Sequence, residues 1–168
     1  MELLQVFDDD KIMLNEWIER DKKKELPSGK NFMIILLFIQ NNNGDFLIQK
    51  VSKNKGGEYA TTGGHVTFGD NNIDTVIKES SEELGIKLTA DEFVLVSSNK
   101  VNCCFVDTFY CKKDIDISNM NLQIEEVESV CWLSINEIEN LIEQNKFRKG
   151  NIEPFKNLIN YLENKKTF

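Results

Sequence analysis

The longest uninterrupted apolar run in the chain, residues 32–39, reads Phe-Met-Ile-Ile-Leu-Leu-Phe-Ile. This run is too short for a membrane-spanning helix, which needs about 18 or more apolar residues. An apolar run without alternating polar residues is typical of a strand that is buried on both faces. The run therefore predicts a central strand of a sheet. An Asn-Asn-Asn-Gly-Asp turn follows at 41–45, and residues 46–50 are predicted to return as the next strand.

Three further strands and two C-terminal helices are predicted from similar sequence patterns. The strands are predicted at residues 93–98, 103–111 and 127–133. The helices are predicted at residues 134–144, where Ser-Ile-Asn-Glu forms a capping box, and at about 154–163. Near the N-terminus, residues 2–7 and 11–18 flank three aspartates, and we favour a strand pair over a short helix there.

The composition restricts the compartments and partners that suit this chain. Its 168 residues are most simply one domain. A net charge of −8 and a pI near 4.8 argue against a nucleic-acid surface, which needs a stripe of basic residues. Four cysteines without a Cys-x-x-Cys spacing predict free thiols, and the N-terminus lacks the pattern of a signal peptide. We therefore expect a cytoplasmic protein, with neither a nucleic-acid polymer nor a membrane as partner.

A predicted helix carries three acidic residues, Glu79, Glu82 and Glu83, within five positions. Asn71 is its expected N-cap and Gly85 its expected left-handed C-cap. The inward stripe of the helix is predicted to consist of Ile73, Val76, Ile77, Ser80 and Leu84. Helical periodicity places the three glutamates together on an exposed flank, roughly 120° from that stripe. Two interpretations follow: a solvated helix face, or a site for a hard cation such as Mg²⁺.

A glycine-rich loop leads directly into this helix, and loop and helix form one motif. Residues 64–86 read Gly-x5-Asp-x7-Lys-Glu-Ser-x-Glu-Glu-x-Gly-Ile. This resembles the Nudix box, Gly-x5-Glu-x7-Arg-Glu-U-x-Glu-Glu-x-Gly-U, in which U is a bulky aliphatic residue. Six of the nine defined positions agree, including all three glutamates and both glycines. The departures are Asp70, Lys78 and Ser80, which stand where the family has Glu, Arg and an aliphatic residue.

The resemblance implies an α/β fold, namely an α/β/α sandwich with a mixed sheet between helices. It implies a single Nudix domain over residues 1–168, with an N-terminal extension at 1–28, the loop and helix at 63–86 and C-terminal helices at 134–168. The segments Leu-Ile-Gln-Lys at 47–50 and Thr-Gly-Gly-His-Val at 62–66 look like the Nudix subgroup related to isopentenyl-diphosphate isomerase.

The resemblance also implies a reaction, the Mg²⁺- or Mn²⁺-dependent hydrolysis of a diphosphate linked to another group, such as a nucleoside. A cation is needed because a diphosphate repels both hydroxide and an acidic protein. By the family match, Glu79, Glu82, Glu83 and the carbonyl of Gly63 are metal ligands. The three glutamates and Lys78 form the catalytic set, in which Lys78 supplies a point charge where the family Arg supplies a bidentate fork.

The family match leaves the proton acceptor open and assigns the substrate contacts to a few residues. One of the helix glutamates, or one of Glu125, Glu126 and Glu128, is expected to accept the proton of the attacking water. Contacts to a small-molecule diphosphate are expected from Lys50, Gly64 and His65.

Two other functions are compatible with the sequence. The three departures fit a Nudix-derived binding module without turnover, although the intact glutamates count against it. An isopentenyl-diphosphate isomerase would use several histidines together and a cysteine just before the box glycine. This chain has one histidine and carries Gly63 at the cysteine position. Because family members are often dimers, a homodimer is a further expectation.

Overall fold

Nine β-strands, three α-helices and five short 3₁₀ helices make up residues 1–166, the part of the chain that the computed structural model describes. The strands are β1 (Leu3–Phe7), β2 (Met13–Glu19), β3 (Phe32–Gln40), β4 (Phe46–Val51), β5 (Tyr59–Ala60), β6 (Thr62–His65), β7 (Phe93–Val101), β8 (Cys104–Lys112) and β9 (Val127–Leu133). The α-helices are α1 (Asn72–Leu84), α2 (Ile135–Glu143) and α3 (Ile152–Lys165). Residues 167 and 168, the end of the predicted C-terminal helical region, lie outside the described residues.

Strand β3 is the centre of the larger, seven-stranded sheet. It pairs in parallel with β8 along its whole length and antiparallel with β6. Nearly all of its residues are buried. Because successive side chains of a strand point to opposite faces, this burial requires cover on both sides of the sheet. The prediction of a central strand buried on both faces is confirmed.

Helices cover both faces of this sheet. On one face, Val76 of α1 packs in a hydrophobic cluster with Ile35 of β3. On the other face, Ile138 of α2 and Phe155 of α3 pack in a second cluster with Phe38 of β3. All five side chains are at most 2% exposed, and each such burial contributes about 1.5–3 kcal/mol. The result is the α/β/α sandwich with a mixed sheet that was predicted.

The predicted turn and the strand after it, β4, are both present, but β3 and β4 pair with each other only beside the turn. The two strands pair only where Gln40 meets Phe46, and β4 then pairs with β5 and β9 instead. The segment formed by β5 and β6 pairs first with β4 and then with β3, changing partner at Thr61. The Thr61 hydroxyl donates to the carbonyl of Leu37 at this change of partner. The two sequence-adjacent strands therefore separate and leave a wedge between them.

The N-terminal strands β1 and β2 form the antiparallel pair that was favoured over a helix. In their connection, Lys11 adopts a left-handed φ of 63°. The Lys11 ammonium lies 2.7 Å and 2.9 Å from the two carboxylate oxygens of Asp107, a fully buried residue on β8. Ser98 and Asn72 donate to the same carboxylate. This network fastens the hairpin to the core beside the start of α1.

Two further observations concern sequence expectations. All four cysteines are free thiols, as predicted. Within the described residues, none of the helices combines the length and the apolar character that crossing a bilayer requires.

Candidate active site

Helix α1 begins and ends as its sequence predicts, and this fixes the direction in which its glutamates project. The Asn71 side chain accepts a hydrogen bond from the backbone N–H of Asp74 at 2.9 Å. Gly85 has a φ of 67°, a left-handed conformation that glycine adopts without a steric penalty, and its N–H donates to Ser81. The helix therefore starts directly after the glycine-rich loop and ends at Leu84, one residue beyond Glu83.

A cavity of about 560 Å³ lies beside α1, at the wedge between β3 and β4. All three glutamates line it. Its other walls come from distant parts of the chain, including the N-terminal hairpin, the sheet and the segment before α3. Residues from these walls include Arg20, Gln49, Gly63, Gly64 and Arg148.

The three glutamates differ in exposure, which corrects the prediction of one exposed flank. Glu82 is exposed and Glu79 is half-buried, whereas Glu83 is only 8% exposed. One carboxylate oxygen of Glu83 accepts hydrogen bonds from Thr62 Oγ1 at 2.5 Å and Gln49 Nε2 at 3.4 Å. The helical wheel misses this burial because the covering groups belong to β4 and β6, not to the helix. Glu83 is therefore a held carboxylate rather than a solvated one.

The three glutamates form a cluster of negative charge that no positive side chain of the described residues neutralises through an ion pair. Burial, together with the charges of Glu83 and Glu82, raises the pKa of Glu79 to about 8. Burial also raises the pKa of Glu83, although its hydrogen bonds to Thr62 and Gln49 oppose that rise. Among the described residues, no Lys or Arg lies within ion-pair distance of any of the three. The cluster thus favours either protons or a cation.

The donor set fits a hard divalent cation in its chemistry. Within residues 1–166, no three His, Cys, Asp or Glu side chains stand close enough together to hold a metal ion as placed. Carboxylate oxygens are nevertheless the ligands that Mg²⁺ and Mn²⁺ prefer. Gly64 leaves the space that the Glu79 carboxylate occupies, since a Cβ on Gly64 would lie 2.5 Å from Glu79 Cδ and Oε1. The neighbouring Gly63 is held by pairing with Leu36 of β3.

Lys78, which the family match places in the catalytic set as a point charge, does not pair with the glutamates. Its ammonium lies 3.6 Å from the Asp70 carboxylate and 3.4 Å from Thr67 Oγ1, and Lys78 does not line the cavity. Its charge reaches Glu79 and partly opposes the rise in the pKa of that carboxyl. Two of the departures from the family motif, Asp70 and Lys78, therefore contact each other. The third, Ser80, is fully buried and donates to the carbonyl of Val76.

The structure separates the predicted substrate contacts. Gly64 and His65 line the cavity. Lys50 does not, because its ammonium lies 5.8 Å from the centre of the Tyr59 ring in a different recess. Glu125, Glu126 and Glu128 are the candidate proton acceptors outside α1. Of these three, Glu126 lines the cavity, and its carboxylate lies 3.2 Å from the Lys55 ammonium.

His65 is a neutral hydrogen-bond acceptor in this structure. Its Nε2 lies 2.8 Å from the Lys23 ammonium, and its ring stacks on Phe32. Burial, followed by the charges of Lys23 and Arg20, lowers the pKa of His65 to about 3. An imidazole that stays unprotonated above that pH accepts a hydrogen bond from the ammonium.

The polar cavity residues that sequence reasoning missed include Arg20, Gln49 and Arg148. Gln49 carried a readable signal, since it is a polar residue inside an apolar strand pattern and is 6% exposed. Its Oε1 is buried without a hydrogen-bond partner among the described residues. The two arginines lie in segments with no motif, and only the folded chain brings them to the cavity.

The raised pKa of Glu79 predicts a pH dependence of stability in metal-free protein. The pKa of its carboxyl is about 8 in the folded chain against 4.5 for an ordinary glutamate, so the folded state binds more protons between these two values. The free energy of unfolding therefore falls as pH rises through this interval. His65, whose pKa is about 3 in the folded chain and 6.5 when unfolded, is half protonated in the unfolded chain at pH 6.5 and opposes part of this fall, but it does so equally in wild type and in Glu79→Gln. Urea denaturation in chelator should show lower stability at pH 8 than at pH 6.5, and Glu79→Gln should flatten this trend. An equal slope in both proteins would contradict the burial of this carboxylate.

Comparisons with known proteins give consistent results. The family model for the NUDIX domain matches residues 30–156. An uncharacterized Nudix hydrolase of Listeria innocua is 28% identical over 144 residues, covering 80% of this chain and 85% of the relative. A second, from Listeria monocytogenes, is 29% identical over 128 residues, covering 74% of this chain and 76% of the relative. The crystal structure of DR0079 from Deinococcus radiodurans superimposes with a TM-score of 0.71 at 16% identity, covering 90% of this chain and 94% of that one. The last similarity concerns the fold alone.

Proposed function

The chain belongs to the Nudix family, and from this membership we propose that it is a Mg²⁺- or Mn²⁺-dependent hydrolase of a small-molecule diphosphate. The substrate class is a nucleoside diphosphate derivative or a related compound with a diphosphate bond. One observation supports the proposal most strongly. Glu79, Glu82 and Glu83 project from one helix into a single cavity, where no Lys or Arg of the described chain pairs with them.

The residues of the cavity would have different roles in such a reaction. Glu79, Glu82 and Glu83, with the carbonyl of Gly63, would hold the cation. The bound cation supplies positive charge against the diphosphate oxygens and so makes attack by water easier. Thr62 and Gln49 fix one oxygen of Glu83, which leaves its other oxygen for the cavity.

The proton of the attacking water needs a carboxylate acceptor in the cavity. A glutamate of α1 or Glu126 meets this requirement, because all of them line the cavity and water reaches them there. Glu125 and Glu128 do not line it, so the structure gives no support for their participation. The Lys55 ammonium lies 3.2 Å from the Glu126 carboxylate and orients it.

The direct test is hydrolysis of a panel of diphosphate compounds with and without divalent metal. We expect one or more compounds to be cleaved with Mg²⁺ or Mn²⁺, and turnover to stop when chelator is added and return when metal is restored. Undiminished turnover in excess chelator would contradict the metal dependence. Mg²⁺-dependent binding of a diphosphate without cleavage would instead identify a binding module. A product with the mass of the substrate would identify an isomerase.

A further inference from the structure

Arg148 is a cavity residue whose place is set by the sheet rather than by a flexible loop. It lies between α2 and α3, and its backbone N–H donates to the carbonyl of Tyr59 at 2.8 Å. The N–H of Tyr59 in turn donates to the carbonyl of Lys146 at 2.9 Å. This segment therefore adds to the edge of β5, and the Arg148 side chain reaches the cavity that the glutamates of α1 line.

The Arg148 guanidinium is held through one nitrogen and keeps its far edge available. Its Nε donates to the Glu58 carboxylate at 2.8 Å. Among the described residues, the structure gives neither terminal nitrogen an acceptor. The side chain is 39% exposed, so packed protein does not enclose the guanidinium. Burial raises the pKa of Glu83, and the charge of Arg148 is the smallest of the influences that oppose this rise.

The other cations that line the cavity are engaged differently. Arg20 uses its terminal Nη1 for the Glu2 carboxylate at 2.8 Å. Lys55 directs its ammonium to Glu126 at 3.2 Å. Arg148 alone among these three leaves the two-pronged end of a guanidinium unpaired, and that end matches two oxygens of a phosphate.

We propose that Arg148 binds phosphate oxygens of the diphosphate substrate from the β5 and α3 side of the cavity, with Glu58 as the positioning residue that orients its guanidinium. This inference rests on the proposed function, because it assumes that a diphosphate occupies the cavity. In this arrangement the diphosphate lies between the acidic helix, with its cation, and the guanidinium. The negative charge of the substrate would then be balanced from two sides, by the cation at α1 and by the Arg148 guanidinium.

Binding of methylenediphosphonate tests the role of Arg148 apart from turnover, because its P–C–P bridge resists hydrolysis. Calorimetric titration in Mg²⁺ should give an affinity for Arg148→Gln that is roughly tenfold or more below wild type, as expected for loss of charge-assisted hydrogen bonds. Lys149→Gln is the matched control, since it removes the same charge from the next residue, which is exposed and does not line the cavity. The control should bind within about twofold of wild type.

A second readout separates Arg148 from the metal site. Titration with Mn²⁺ alone should give an unchanged or slightly tighter affinity in Arg148→Gln, because a positive charge near Glu83 has been removed. Arg148→Lys should bind the diphosphonate more weakly than wild type, because it keeps the charge but loses the two-pronged guanidinium end. This variant replaces Arg148→Gln in the test if Arg148→Gln does not fold. Glu58→Gln should weaken binding by less than Arg148→Gln does.

Three results would overturn the inference. They are diphosphonate binding in Arg148→Gln equal to that of Lys149→Gln, diphosphonate binding in Arg148→Lys equal to wild type, and a wild type that does not bind the diphosphonate in Mg²⁺. Each leaves the proposed hydrolysis standing if the wild type still cleaves diphosphates with metal. If the protein binds the diphosphonate through Arg148 but cleaves no diphosphate with metal, the proposed hydrolase function is wrong and the proposed role of Arg148 in anion binding still holds.

Discussion

Replacing Glu83 by Gln is expected to lower the turnover of a diphosphate substrate by about a hundredfold or more while the protein stays folded. Gln keeps the size of the side chain, and its carbonyl oxygen can still accept the hydrogen bond from Thr62. The charge is lost, however, and with it the affinity of the buried position for a cation. Rates measured at saturating Mg²⁺ for this variant and for Glu139→Gln, an exposed glutamate of α2 away from the cavity, would isolate the site effect.

The same substitution should affect stability in opposite directions with and without metal. In chelator at pH 8, Glu83→Gln should be at least as stable as wild type, because the wild type must ionise a carboxyl whose pKa is raised by burial. In Mg²⁺ the wild type should become the more stable protein, since a ligand that binds the native state stabilises it. Melting curves in both conditions measure the change. Equal Mg²⁺-induced shifts in the two proteins would mean that Glu83 holds no metal and that its carboxylate has only the structural hydrogen bonds to Thr62 and Gln49.

Adjacent glycines should respond to alanine in contrasting ways. A Cβ on Gly63 would lie 2.3 Å from the backbone oxygen of Ile35, which cannot move without breaking the β3–β6 pairing. We expect Gly63→Ala to lower the free energy of unfolding by about 1–3 kcal/mol or more, and the melting temperature by roughly 3–10 °C. A Cβ on Gly64 would instead meet the end of the Glu79 side chain, which can rotate away.

Gly64→Ala is therefore expected to keep a melting temperature near that of wild type and to lose about tenfold or more in Mn²⁺ affinity and turnover. Thermal melts, Mn²⁺ titrations and rate measurements on both variants would distinguish the two effects. Wild-type Mn²⁺ affinity in Gly64→Ala would show that the position of Glu79 does not matter for the metal.

Local patterns predicted much of this fold because the relevant physics is local. The apolar run of β3, the Asn71 cap and the left-handed Gly85 each depend on a few neighbouring residues, and all three predictions are confirmed. The early separation of β3 from β4 could not be read locally, because it depends on β5 and β6 competing for the same strand edges. Those two short strands have only two and four residues, too few for a periodic signal.

The candidate site was predicted in the same uneven way. The glutamates follow from one motif on one helix, and the structure does bring them to one cavity. The burial of Glu83 could not be predicted, because Thr62 and Gln49 approach it from other elements. The contact of Lys78 with Asp70 could not be predicted either, because the family match groups Lys78 with the glutamates of α1. Arg148 depends on a segment that joins the sheet edge through backbone hydrogen bonds, which carry no sequence signature.

The contact between Lys11 and Asp107 changes where the boundary of the folding unit belongs. The family match begins at residue 30, which invites a shortened chain without the first two strands. Such a chain would lose the ammonium that neutralises a fully buried carboxylate, a change that costs several kcal/mol where the remaining charge cannot reach water. It would also lose Glu2 and Arg20 from the cavity wall. We therefore expect a stable domain to require the segment that the sequence suggests as an extension, and truncation libraries or domain fusions should begin upstream of it.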